Sequence, residues 1–305
     1  MFVKHMKNEF QLDYNFHTHT PRCGHAIGRE EEYIENALKA NFKYLGFSDH
    51  TYINNFSQPF VRMDKNAFPE YIVTLNQLKK KYSDKIEILI GLECEYCSNM
   101  VEEYKWLLQE NILDYLIIGQ HFIFDDNGCH SFDSYSSSTS FNLYVRELLK
   151  GIDTGLFSCV AHPDLFTFFY QEDDDSMKKN CELIIDKVIE KDVVLELNIS
   201  KLANNIRSGK NMFYSRTFPH DYFWKIAGEK KAKVMVGLDA HTPLAILDSL
   251  ITGRSCGVAY SLMVSKFVLF NILDNFVEEI APACIASHSL GVIWISRSFL
   301  LDAPN

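Results

Sequence analysis

This 305-residue sequence predicts an α/β fold in which parallel strands close into a barrel. Two observations carry that prediction. Seven short apolar runs alternate with longer amphipathic stretches, and side chains able to bind metal recur at the ends of the runs.

The apolar runs span residues 12–16, 44–47, 86–92, 115–118, 156–161, 193–197 and 234–238. They are short and rich in Ile, Val, Leu, Phe and Tyr, as strands buried on both faces tend to be. Residues 30–40, 66–82, 101–110, 141–149, 176–191 and 215–231 read as helices. In the first of these, Tyr33, Ile34, Ala37 and Leu38 share one face, the spacing of an amphipathic helix. Strand–helix units in series call for a parallel sheet with helical crossovers, and closure removes the exposed edges. The serine-rich patch 134–140 (SYSSSTS) reads as a polar loop. Residues 1–280 are assigned to the barrel domain. Residues 281–305 (APACIASHSLGVIWISRSFLLDAPN) have few charges and no clear period, and are set apart as an atypical tail. They lack the clean apolar run of ~18 residues that a membrane span requires, and no membrane association is expected.

The net charge of −10 argues against nucleic acid, whose phosphates need clustered Lys and Arg. A small anionic substrate stays open, because bound cations reverse the local field of a carboxylate- and imidazole-rich site. Eight cysteines are present. The N-terminal MFVKHMKNEF lacks the apolar core of a secretory signal, so a reducing cytoplasm is expected. Cys94 and Cys97 form a CxxC without the second pair that a zinc knuckle needs, and are read as structural.

The candidate ligands follow the strand ends. His17 and His19 form an HxH whose period of two aims both imidazoles to one face. His25 lies in the turn-forming PRCGHA, His50 ends the second run, Glu93 the third, and His121 follows the fourth. His162 ends the fifth run, and Asp239 and His241 end the last in an equivalent same-face pair. In a barrel these positions meet at the C-terminal face, where barrel active sites are built. A His and carboxylate set suits zinc, iron or manganese, and a multinuclear catalytic site better than a structural zinc. His5, His130, His220 and His288 fit no such pattern and are read as structural.

The segments HTHTPRCGHA, GFSDH, GLECEY, IGQHF, AHPDLF and GLDAHT resemble the motifs of the polymerase and histidinol phosphatase (PHP) superfamily. The resemblance covers residues 12–243, and HTPRCGHAIGREEEYIENALKANFKYLGFSDH, GLECEY and QHFIFDD are most similar to the larger histidinol-phosphate phosphatases. It implies a distorted, seven-stranded TIM-like barrel with two or three divalent ions at the C-terminal ends of the strands. His17, His19, Glu93 and Asp239 would hold the first ion. Glu93, His121 and His162 would hold the second, and His25, His50 and His241 the third. Two departures stand out: Leu238 replaces a serine usual before the aspartate, and the chain after Pro243 does not read like the family's closing helices.

The expected reaction is hydrolysis of L-histidinol phosphate to histidinol and phosphate by water activated at the metals. Asp49 and Asp164 are candidates for proton delivery or for orienting a ligand imidazole. Arg62 and Arg207 are candidates for substrate contact, since guanidinium matches phosphate oxygens. Another PHP-type phosphodiesterase or exonuclease, or a metal-binding protein without turnover, are the rival readings.

Overall fold

The computed structural model describes residues 12–125, 128–131, 137–169, 174–200 and 219–249. Seven strands form one all-parallel sheet: β1 (Tyr14–Asn15), β2 (Tyr44–His50), β3 (Glu87–Cys94), β4 (Tyr115–Ile118), then β7 (Cys159–Val160), β8 (Val194–Asn198) and β9 (Val234–Gly237), in that spatial order. Two further strands, β5 (Phe122–Asp125) and β6 (Gly128–Ser131), pair antiparallel beside the sheet. Helices α1 (Glu30–Lys39), α2 (Phe68–Lys81), α3 (Val101–Gln109), α4 (Ser137–Asp153), α5 (Asp175–Glu190) and α6 (Asp221–Glu229) lie between the strands.

The barrel closes just past the ends of β1 and β9. Thr18 bridges Ala240 in parallel; the His19 amide donates to the Ala240 carbonyl at 2.9 Å, and the Ala240 amide donates to the His17 carbonyl at 3.0 Å. Below that bridge Asn15 supplies what the backbone ladder does not. Its Oδ1 accepts from the Leu238 amide at 2.9 Å and its Nδ2 donates to the His17 carbonyl at 2.8 Å. The seam therefore closes beside the predicted metal ligands.

Two apolar cores result. Phe16, Leu89, Tyr115, Ile117, Cys159 and Met235 belong to a small cluster that fills the barrel. A larger cluster lies between sheet and helices; α1 enters it through Tyr33, Ile34 and Ala37, all on its expected apolar face. A fully buried side chain such as Ile34 stabilises by roughly 1.5–3 kcal/mol. Helix starts follow local chemistry. Glu30, Glu31 and Glu32 occupy the first turn of α1, with Glu32 accepting from the Arg29 amide, and Asp174 caps α5 by accepting from the Met177 amide at 2.7 Å.

The structure corrects one expectation and adds one element. Four of the seven residues of the serine-rich patch are helical, because α4 begins at Ser137; serine and threonine suit a helix N-terminus, where their competition with the backbone does least harm. The β5–β6 hairpin lies outside the expected elements, although the β-prone Phe122-Ile123-Phe124 followed by the turn-forming Asn127-Gly128 is a hairpin-type sequence. Cys94 and Cys97 are buried, unpaired thiols, with Cys97 Sγ donating to Asn99 Oδ1 at 3.0 Å. Among the described residues no helix is long and apolar enough to cross a membrane. The 281–305 tail lies outside the described residues.

Candidate metal centre

All nine residues expected as ligands lie at the C-terminal end of the barrel. His50 and Glu93 are register partners across β2 and β3. The His17 and His19 rings stand 5.0 Å apart, as their period-two spacing dictates. His162 and Asp239 each follow a strand with φ of +31° and +45°. Positive φ in a residue other than glycine costs free energy and collects at functional sites; here it turns two candidate ligands toward the cluster.

Glu93 is the hub. Its Oε2 lies 3.3 Å from His17 Nε2, 3.4 Å from His19 Nε2 and 3.0 Å from His50 Nδ1. Its Oε1 lies 3.0 Å from His162 Nε2 and 3.7 Å from His121 Nε2. Asp239 Oδ1 lies 3.4 Å from His17 Nε2 and 3.0 Å from His19 Nε2. The loop holding His25 folds back so that its Nε2 meets His241 Nε2 at 3.0 Å.

The spacing of the cluster, together with its unpartnered buried atoms, fits a metal site. Four ligands at about 2.0–2.1 Å from a tetrahedral ion stand roughly 3.3 Å apart. His17 Nε2, His19 Nε2, Glu93 Oε2 and Asp239 Oδ1 are separated by 3.0–3.4 Å in the four pairs between imidazole and carboxylate. His17 Nε2, both ring nitrogens of His19, Glu93 Oε2 and His162 Nδ1 are buried with no hydrogen-bond partner. Each such orphan costs about 1–3 kcal/mol unless something satisfies it, and a divalent cation would satisfy several at once. The donor set therefore fits such an ion. Further groupings of close donor atoms are His17, His162 and Asp239, and His19, His50 and His241.

The charges are mutually arranged. Burial alone would raise the Glu93 pKa, yet the facing charges of His50, His17 and His121 hold it well below the carboxylate range. Burial alone would lower the His17 pKa, but Glu196, Asp239 and Glu93 hold it well above normal. Burial does win at His50, whose pKa falls to about 4.

A supporting layer went unpredicted. Glu196 on β8 is fully buried; its Oε1 accepts from His17 Nδ1 at 2.8 Å and its Oε2 accepts from the His162 amide at 3.0 Å. Glu95 pairs with Arg62 Nη2 at 2.7 Å, and its Oε1 lies 3.4 Å from His121 Nδ1. Asn198 Nδ2 donates to Asp239 Oδ2 at 3.2 Å. The available signal was a carboxylate inside an apolar strand (Leu195-Glu196-Leu197) and a Glu93/Glu95 pair at period two. Cys23 Sγ also comes close to the ligand atoms of His25 and His241; burial pushes its pKa up to about 12, and it accepts from the Ala26 amide.

The other candidates separate. Asp49 is fully buried behind His19, accepting from the His50 amide at 3.0 Å and from the Thr20 hydroxyl. Asp164 accepts from the His220 amide at 2.6 Å and from Trp224 Nε1 at 2.9 Å, so its carboxylate anchors the start of α6. Arg62 is buried in the cavity wall with its donors engaged by Glu95, Gln58 and the Thr51 carbonyl. Arg207 lies outside the described residues, as do His5 and His288. His220 directly precedes α6 and His130 lies on β6.

A cavity of about 530 Å³ opens over the cluster, lined in part by His25, Phe60, Arg62, Glu95, His121 and Phe122. The PHP domain family matches residues 15–200. The chain belongs to the PHP domain family. Among similar proteins, a probable histidinol-phosphatase of Deinococcus radiodurans is 27% identical over 236 residues, 74% of this chain and 85% of that protein. A histidinol-phosphatase of Bacillus subtilis is 25% identical over 253 residues, 74% of this chain and 92% of that protein. In structure this PHP domain is similar to a putative histidinol phosphatase of Listeria monocytogenes, with a TM-score of 0.59 at 20% identity, covering 80% of this chain and 99% of that one. It is also similar to a histidinol phosphate phosphatase of Lactococcus lactis solved with zinc, L-histidinol and phosphate, with a TM-score of 0.57 at 18% identity, covering 81% and 94%. At those identities the structural likeness is one of fold, and it agrees with the PHP barrel derived above.

Proposed function

We propose that this PHP domain hydrolyses the phosphomonoester L-histidinol phosphate to histidinol and inorganic phosphate, as a step of histidine biosynthesis. The observation that carries the metal chemistry is the quartet of His17, His19, Glu93 and Asp239, spaced as ligands around one ion. The substrate rests on the relatives named histidinol-phosphatase, which this chain matches over most of their length.

The quartet would hold a first divalent ion, zinc, iron or manganese. Glu93 Oε1 with His121 and His162 would hold a second, and His25, His50 and His241 a third, making the centre trinuclear. When bound, such ions neutralise phosphoryl oxygens and lower the pKa of water toward neutrality.

The chain's own residues do the rest. Glu196 accepts from His17 Nδ1, which leaves the Nε2 lone pair facing the centre. Asp49 Oδ1 lies 3.6 Å from His19 Nδ1 and Glu95 Oε1 lies 3.4 Å from His121 Nδ1, so we read both carboxylates as positioning residues that act through charge rather than a direct hydrogen bond. Asp164 is read as the anchor of α6 rather than a proton donor. Arg62 presents a fixed positive charge to an anionic substrate while its N–H groups stay engaged. Arg207 keeps its place as a proposed phosphate contact. We place the reaction in the cytoplasm, in keeping with the buried free thiols of Cys23, Cys94, Cys97 and Cys159.

The test is direct. Zinc-loaded full-length chain is expected to hydrolyse histidinol phosphate with a higher kcat/KM than bis(p-nitrophenyl) phosphate. Preference for the diester would overturn the phosphomonoesterase reading.

A further inference from the structure

The cavity has a wall that no metal ligand accounts for. Among its described lining residues, Phe60, Val61 and Phe122 are the apolar ones, and they adjoin the Arg62–Glu95 ion pair. Phe60 is anomalous on two counts. Its side chain is left 77% exposed, and its backbone sits at φ +65°, a left-handed conformation that a bulky residue resists. Neither feature helps the fold, since a ring in water stabilises no core and the backbone strain opposes folding.

The surroundings nevertheless hold Phe60 in place. The amides of Val61 and Arg62 both donate to the Gln58 carbonyl at 3.2 Å, closing the turn around it. Arg62 is then pinned by Glu95, Gln58 and Thr51. On the other side the backbone of Gly24 presses against it: a Cβ at Gly24 would lie 2.6 Å from Phe60 Cα. Gly24 directly precedes His25, so the strained Phe60 is clamped between the loop that carries His25 and the loop that carries Arg62. Phe122 is fixed by a different contact, the Arg62 guanidinium 5.6 Å from its ring centroid. Strain that is over-determined by its neighbours and sits at a cavity mouth is the pattern expected of a ligand contact.

We infer that Phe60 and Phe122 form a planar-ring subsite that grips the leaving alcohol of the phosphomonoester, selecting alcohols that carry a flat ring. The inference deepens the proposed phosphomonoesterase activity and rests on it. The phosphoryl group belongs at the His and carboxylate cluster; the rest of the substrate must extend along the cavity, and this is its apolar wall. A flat heteroaromatic or aromatic ring takes the stacking that a phenylalanine face provides, and an aliphatic chain does not.

The experiment compares the wild type with Phe60→Gly and Phe60→Tyr, as zinc-loaded full-length protein, on three esters: histidinol phosphate, benzyl phosphate and the ringless ethanolamine phosphate. Glycine tolerates the positive φ, so the fold has no reason to fail in that variant. Phe60→Gly is expected to lower kcat/KM about five- to tenfold on the two ring esters, mainly through KM. The same variant should change ethanolamine phosphate by less than about twofold, and Phe60→Tyr should behave as wild type on all three. An equal loss on ringed and ringless esters, or no loss on the ringed ones, overturns the subsite. So does a wild type with no preference for ring esters. Failure of the substrate reading looks different: benzyl phosphate would still depend on Phe60 while histidinol phosphate was no better a substrate than benzyl phosphate.

Discussion

Replacing Glu196 by Gln isolates what holds His17, a proposed metal ligand, in place. Glu196 is buried on β8 and touches the centre only through others: Oε1 accepts from His17 Nδ1 at 2.8 Å and Oε2 accepts from the His162 amide at 3.0 Å. Glutamine has the same shape but one acceptor oxygen. Whichever way its amide turns, its carbonyl serves one of these donors and its NH2 confronts the other. One buried donor is thus orphaned, at a cost of about 1–3 kcal/mol of stability. The charge that raises the basicity of His17 is also lost. Removing such a partner typically costs 10–100-fold in metal affinity, which corresponds to about 1.4–2.7 kcal/mol. Glu196→Gln should therefore stay folded by circular dichroism, melt a few degrees lower, and bind zinc about 10–100-fold more weakly in competition with a chromophoric chelator. kcat/KM should fall at limiting zinc and partly recover at high zinc. A folded variant whose zinc affinity stays within about twofold of wild type would refute the reasoning, because it would show that His17 needs no orienting carboxylate.

Two further changes probe the packing behind the site. A Cβ at Gly119 would overlap Glu93 Oε1 and lie 3.0 Å from His162 Cε1, so Gly119→Ala must displace the hub carboxylate; zinc content by elemental analysis should drop with activity while the circular dichroism spectrum is retained, and full zinc content would contradict the crowding argument. Asp164 gives a pH signature. Burial raises its pKa from 3.8 to about 6 despite the donors at His220 and Trp224. The folded state then binds the proton more tightly than the unfolded state, so this group's contribution to stability is complete below about pH 4 and declines as pH rises to about 6. The loss amounts to about 3 kcal/mol at about 1.4 kcal/mol per pKa unit. Asp164→Asn lacks that loss, so its urea stability relative to wild type should improve by up to about 3 kcal/mol between pH 4 and pH 7. A pH-independent difference would exclude ionisation of Asp164 as the cause.

How far the sequence could be read depended on whether a residue's role was set by its neighbours in the chain or by residues remote from it. A parallel strand buried on both faces is continuously apolar, so β4 was read to the residue at Tyr115–Ile118. β1 and β7 are shorter than their apolar runs, two residues each; just past them side chains take up backbone amides, Ser48 Oγ accepting from Thr18 and Glu196 Oε2 from His162. The metal-binding candidates were legible because an HxH or DxH at a strand end puts both donors on one face whatever the rest of the chain does. Glu196 was not, since a lone glutamate in Leu195-Glu196-Leu197 faces the barrel or the helices according to strand register, and that register is fixed by β7 and β9 rather than by its own sequence. Phe60 was less legible still: PFVRMD says nothing of a φ that only Gln58, Arg62 and the distant Gly24 impose. The division has a physical consequence for this barrel. Donors that ligate can be placed by local period, but their orientation and the shape of the substrate wall are tertiary properties. Two chains with the same HxH, GLECEY and DAHT words can thus share a metal centre and differ in the alcohol they accept, and the loop between β2 and α2 is where that difference would be written.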